Sequence, residues 1–183
     1  MKPRLLGCLL LVLATNALAH RLDEYLQATR ISVATNRIEL SIDLTPGVAI
    51  ADQLLVVIDK NRDGRISEEE GAAYAQRVLK DIRLGLDEKS LALSLVDTSF
   101  PALHEVKGGL GVIRIKATAP VGQLAVGKHA LTLTNAHLPA ISVYLVNALV
   151  PKDGAIKITK QTRDELQKDY RLEFSVSPST PSR

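Results

Sequence analysis

Between Arg37 and Leu44 the chain alternates polar and apolar residues without a fault (Arg-Ile-Glu-Leu-Ser-Ile-Asp-Leu). Successive side chains of a strand point to opposite sides, so Ile38, Leu40, Ile42 and Leu44 are predicted to share one face and enter a core. Tyr25 to Ala34 reads as the partner strand, Thr35-Asn36 as the turn between them, and Thr45-Pro46-Gly47 as the break that follows. The period then lengthens. Val48, Ala51, Leu54, Leu55 and Ile58 fall on one face of a short helix. Tyr74, Ala75, Val78 and Leu79 do the same for a second helix that starts at Ser67 and runs to about Lys80. Beyond Lys80 the chain returns to strands. Ile82 to Asp87 and Leu91 to Val96 flank Glu88-Lys89, which reads as a hairpin turn. Leu110 to Ala119, Lys128 to Thr134, Ile141 to Val150, Ala155 to Thr159 and Tyr170 to Val176 follow. Pro101, Pro120, Pro139 and Pro151 fall between the runs, where a missing N–H costs no ladder bond.

Eight or nine short strands with regular breaks predict a mainly β (α+β) fold, an antiparallel β-sandwich with the helical pair inserted at about 48–80, after the second strand. Residues 20–176 are expected to form one domain, and the Pro/Ser-rich 177–183 a disordered tail. The chain carries no internal repeat.

Residues 1–19 read as a cleavable export signal. Lys2 and Arg4 form a positive start, Leu5 to Leu13 is almost wholly apolar, and Ala17-Leu18-Ala19 is a small-x-small cleavage site. The apolar run is well short of the roughly 20 residues a spanning helix needs. The expected location is therefore periplasmic or secreted, with no membrane span in the mature chain. Cys8, the single cysteine, lies inside this leader. A mature chain without it has no disulfide, thiolate zinc site or cysteine nucleophile. Without Lys2 and Arg4 the 23 basic residues fall to 21 against 20 acidic ones, and the net charge of +3 to +1. A near-neutral chain has no electrostatic case for nucleic acid. With 3% aromatic residues and no tryptophan, it also lacks stacking platforms.

The densest chemistry lies between the predicted helices, in Asp59-Lys60-Asn61-Arg62-Asp63-Gly64-Arg65-Ile66-Ser67-Glu68-Glu69-Glu70. Oxygen-bearing side chains stand at positions one, three, five, nine and twelve, with glycine at six. A hard divalent cation such as calcium needs that set: several oxygens, a sharp turn and a closing carboxylate. Ser67-x-x-Glu70 is also a helix capping box, which requires no ion. The stretch resembles an EF-hand, over about thirty residues from Val48 to Lys80. The resemblance implies that Asp59, Asn61 and Asp63 bind calcium through side-chain oxygens, Arg65 through its carbonyl, Ser67 directly or through water, and Glu70 with both oxygens. Gly64 would supply the positive-φ turn, and Ile66 would tuck into the core. EF-hands usually pair, and this one stands alone, with Lys60, Arg62 and Arg65 in its loop. The expected affinity is that of extracellular modules, about 10⁻⁴ to 10⁻³ M. The expected role is a structural clamp in an exported, non-enzymatic module that meets an exported or membrane protein.

Cleavage after Ala19 would expose His20 as an amino-terminal residue. Its α-amine and a ring nitrogen suit nickel, cobalt or copper, and His104, His129 or His137 could complete such a site. His20-Arg21-Leu22-Asp23-Glu24-Tyr25, a hairpin and a Thr-Pro-Gly turn are similar to the exported amino-terminal domain of bacterial nickel/cobalt transporter-like proteins. That likeness implies a periplasmic accessory that binds a transition metal. No Ser-His-Asp order, glycine-rich phosphate loop or zinc helix motif is present, so no enzymatic activity is expected. Asn135-Ala136-His137 and Tyr144 read as a strand-end turn and a core tyrosine.

Overall fold

The computed structural model describes residues 23–178. The leader, His20 and residues 179–183 of the tail lie outside them. Among the described residues, ten strands form two five-stranded sheets, with three short helices beside them. In chain order these are β1 (Tyr25–Val33), β2 (Arg37–Pro46), α1 (Val48–Ile58), α2 (Glu68–Lys80), β3 (Ile82–Leu86), β4 (Lys89–Leu91) and β5 (Ser94–Ser99). There follow α3 (Leu103–Lys107), β6 (Ile113–Pro120), β7 (Gly127–Asn135), β8 (Ser142–Ala148), β9 (Ile156–Arg163) and β10 (Asp169–Val176). The first sheet runs β5-β6-β2-β1-β8 and the second β4-β3-β7-β10-β9.

The alternation in β2 does what its pattern dictates. Ile38, Leu40, Ile42 and Leu44 are buried and join Ile31, Ile113 and Ile115 of the same sheet in one continuous core. Leu84, Leu131, Leu133, Leu172 and Phe174 of the second sheet belong to that same core. Full burial of such side chains contributes about 1.5–3 kcal/mol each, which lets the fold stand on apolar packing.

The expectation of eight or nine wholly antiparallel strands is corrected in two respects. The described residues form ten strands, and β8 runs parallel to β1, pairing Tyr25 with Ser142 through to Ile31 with Ala148. The hairpin between β3 and β4 turns at Asp87-Glu88, one residue earlier than expected, with φ of 48° and 67°. β4 ends after three residues and the chain crosses to the first sheet as β5.

Helix α1 is held from two sides. Ile50, Leu54 and Ile58 face the main core. Ala51 and Leu55 pack with Val106 of α3, a helix the sequence pattern did not announce. Lys107 adds a 3.0 Å ion pair to Asp52. Val48, read above as part of the buried face, is 47% exposed, and Ile50 takes its place inside. Helix α2 buries Tyr74, Ala75, Val78 and Leu79, and Tyr74 meets Phe100 edge to face. No helix among the described residues is long and apolar enough to cross a membrane.

Candidate metal site

The loop between α1 and α2 starts at Asp59, the C-cap of α1, whose N–H bonds the Leu55 carbonyl. Asp59 is buried at the base of the loop, whereas Asn61, Asp63 and Arg65 are exposed. Two residues in the left-handed region make the turn: Gly64 at φ 81° and Arg62 at φ 59°. At Gly64 the absence of a Cβ removes the usual cost of that conformation.

The side-chain oxygens are turned into the loop by its own amides. Asp59 Oδ1 accepts from Asp63 N–H at 3.2 Å and Oδ2 from Gly64 N–H at 3.0 Å. Asn61 Oδ1 also accepts from Asp63 N–H, at 3.0 Å. Asp63 Oδ1 accepts from Arg65 N–H at 2.9 Å, and its Oδ2 from the Asn61 side-chain amide at 3.0 Å. Each carboxylate oxygen has a second lone pair, so accepting an amide orients it without exhausting it.

Glu70 shuts the loop with its two oxygens divided. Oε2 accepts from Ser67 N–H at 3.0 Å while Ser67 Oγ accepts from Glu70 N–H at 3.2 Å, completing the capping box. Oε1 reaches back ten residues to accept from Lys60 N–H at 2.8 Å and Asn61 N–H at 3.3 Å. The Ser67 N–H, with those of Asn61 and Lys60, holds the Glu70 carboxyl below its ordinary pKa. Ile66 is half-buried and packs against the main core directly beneath.

The donor set fits a hard divalent cation chemically, since all of its atoms are oxygens and three of its side chains are acids. In geometry the three acids do not close on one point. Among the described residues, no three His, Cys, Asp or Glu side chains gather as a metal would hold them. Glu70 is instead spent on amides at both ends of the loop, Oε1 on Lys60 and Asn61 and Oε2 on Ser67.

The three described histidines do not come together either. His104 lies exposed on α3. His129 bonds Asp87 through Nδ1 at 2.6 Å and the Ala125 carbonyl through Nε2 at 2.8 Å, and stacks on Phe174. Burial opposes its protonation, but the Ala125 carbonyl and the Asp87 carboxylate outweigh that and raise its pKa.

His137 belongs to a buried polar cluster that sequence reasoning missed. Its Nδ1 lies 2.7 Å from Asp81 Oδ2 and its Nε2 3.2 Å from the Tyr74 hydroxyl, which lies 2.7 Å from that of Tyr25. The His137 carbonyl accepts from Gln27 Nε2 at 2.8 Å and from the Tyr144 hydroxyl at 3.0 Å. Asn135 Oδ1 accepts from His137 N–H, and its amide donates to Gln27 Oε1. The cluster has a structural cause: the segment from β7 to β8 passes between sheets, and its buried backbone groups need partners. Asn135 and His137 thus form the expected strand-end turn, and Tyr144 is a buried tyrosine whose hydroxyl ties it down.

No protein-family model matches the chain, and no curated protein matches it.

Proposed function

We propose that the chain binds one calcium ion through the Asp59–Glu70 loop, as a lone EF-hand inserted in an exported, non-enzymatic β-sandwich. Asp59, Asn61, Asp63, the Arg65 carbonyl, Ser67 and Glu70 would supply the oxygens. The observation that carries this reading is the inward turn of the Asp59, Asn61 and Asp63 side chains onto loop amides, with Glu70 folded back across the loop mouth. A polar turn with a capping box needs Ser67 and Glu70 only. It does not need the Asp59, Asn61 and Asp63 oxygens, which line the loop on its own amides. Binding requires Glu70 to exchange its Lys60 and Asn61 amide partners for the ion. That cost is consistent with an affinity in the range of about 10⁻⁴ to 10⁻³ M.

The role is that of a clamp. α1 is packed between the main core and α3, and α2 sets its buried face on the main core with Tyr74 against Phe100. The ion would neutralise the loop acids and tie the helical pair to the sheets, leaving the exposed sheet faces to meet a partner protein. A site for nickel, cobalt or copper built on His20 has less support. Both ring nitrogens of His129 and of His137 already have partners within the fold.

Calcium titration calorimetry on wild type, Asp59→Ala and Glu70→Ala tests the reading. Saturable heat in wild type that both variants lose supports it, and equal heats from all three refute it.

A further inference from the structure

Helix α2 is joined to strand β1 and to the 135–141 segment by four side chains in a line, and the line has a direction. At one end the Asp81 carboxylate only accepts. It takes the proton on His137 Nδ1 at 2.7 Å. A neutral imidazole with its proton on Nδ1 has a bare Nε2, which accepts the Tyr74 hydroxyl at 3.2 Å. The Tyr74 oxygen in turn accepts the Tyr25 hydroxyl at 2.7 Å. In this state every donor in the line has an acceptor, and among the described residues no buried side-chain polar atom lacks a partner.

A second proton on His137 reverses the line. Nε2–H must then donate to the Tyr74 oxygen, so the two tyrosines keep two hydroxyl protons with one acceptor between them. Either the Tyr74 or the Tyr25 proton is left without an acceptor among the described residues, on side chains that are 4% and 0% exposed. A buried donor without a partner is the costly case.

We propose that Tyr25, Tyr74, His137 and Asp81 form a proton-operated latch, which holds helix α2 on the sheet while His137 is neutral and releases it when the ring takes up a second proton. The charges facing the ring come from α2 and its C-cap: Arg77 opposes protonation and Asp81 favours it, while Tyr74 on α2 brings its hydroxyl to the ring, Tyr25 on β1 meets it edge to face and Tyr144 on β8 bonds the His137 carbonyl. Burial is the largest influence, and the net result is a pKa below the ordinary histidine value. Burial likewise pushes the Tyr74 phenol up to about 12, so the tyrosines keep their protons throughout. The latch is independent of any ion in the loop.

The test is nitrogen NMR of the histidine rings together with amide hydrogen exchange, on purified protein in chelator, across the acid side of neutrality. The latch predicts the Nδ1–H tautomer of His137 at neutral pH. It predicts that opening of α2, corrected for intrinsic exchange, rises by up to about tenfold per pH unit as pH falls toward the His137 midpoint, then levels off. The amides of β7 and β10 should stay protected. Asp81→Asn keeps an acceptor but removes the charge, so the His137 midpoint and the levelling-off should move together to lower pH. If that variant does not fold, the wild-type coincidence decides. An Nε2–H tautomer, α2 exchange that stays flat through the window, or a levelling-off that fails to follow the His137 midpoint would each overturn the proposal.

Discussion

At the scale of single residues, Glu70 carries two roles that a measurement can separate. One oxygen caps α2 and the other closes the loop. Ser67→Ala removes the cap but only one ion ligand, and should cost about 1 kcal/mol of stability in urea unfolding. It should weaken calcium binding less than Glu70→Ala does, because position nine of such a loop often binds through water. A different residue tests the packing around α1. A Cβ added at Gly111 would lie 2.7 Å from Val106 N and 2.8 Å from Pro101 Cγ. A backbone atom cannot swing aside as a flexible side chain can. Gly111→Ala should therefore destabilise by about 1–3 kcal/mol, read by thermal unfolding, and α3 should loosen first.

At the scale of elements, half-buried His129 and buried His137 predict opposite responses to pH. His129 sits at the β3–β4 hairpin, where Asp87 bonds both its ring and the Ala130 N–H. Its folded pKa is raised, so its stabilisation is full below the ordinary histidine value and fades as pH rises through the folded one. His137 has a lowered pKa, so its stabilisation is full above the ordinary value and fades as pH falls toward the folded one. Histidine NMR titration should place His129 above and His137 below the ordinary value of about 6.5, and Asp87→Asn should bring His129 down. The same elements show what the sequence made legible. The β2 alternation, both flanking helices and the Ser67 capping box could be read because each is a local pattern. The short α3 has too few residues to show a period. The Asp87-Glu88 turn carries none of the glycine or asparagine that usually marks positive φ. The twelve-residue loop was visible as spacing. The His137 cluster was not, since Gln27 and His137 stand 110 residues apart and only the sheet topology joins them.

At the scale of the molecule, two sheets that share one core should unfold together. Their exposed edge is guarded where β8 passes β9. Arg163 donates to the Val146 carbonyl and to Asn147, and Gln161 accepts from the Ala148 N–H. Side chains thus occupy groups that another strand could otherwise pair with. Arg163→Ala should cost about 1 kcal/mol and raise the tendency to aggregate, seen by light scattering. The proposed ion also acts at this scale. At tenfold excess over the dissociation constant it should add about 1.4 kcal/mol to the stability of the whole fold, as an upward shift in melting temperature that Asp59→Ala abolishes. The most direct test of the central claim is a crystal structure grown in saturating calcium. One ion is expected, with oxygens of Asp59, Asn61, Asp63, Arg65 and Glu70 at about 2.3–2.6 Å, and Glu70 drawn off the Lys60 and Asn61 amides. A loop that keeps Glu70 on those amides at full calcium, with no ion among the oxygens, would contradict it.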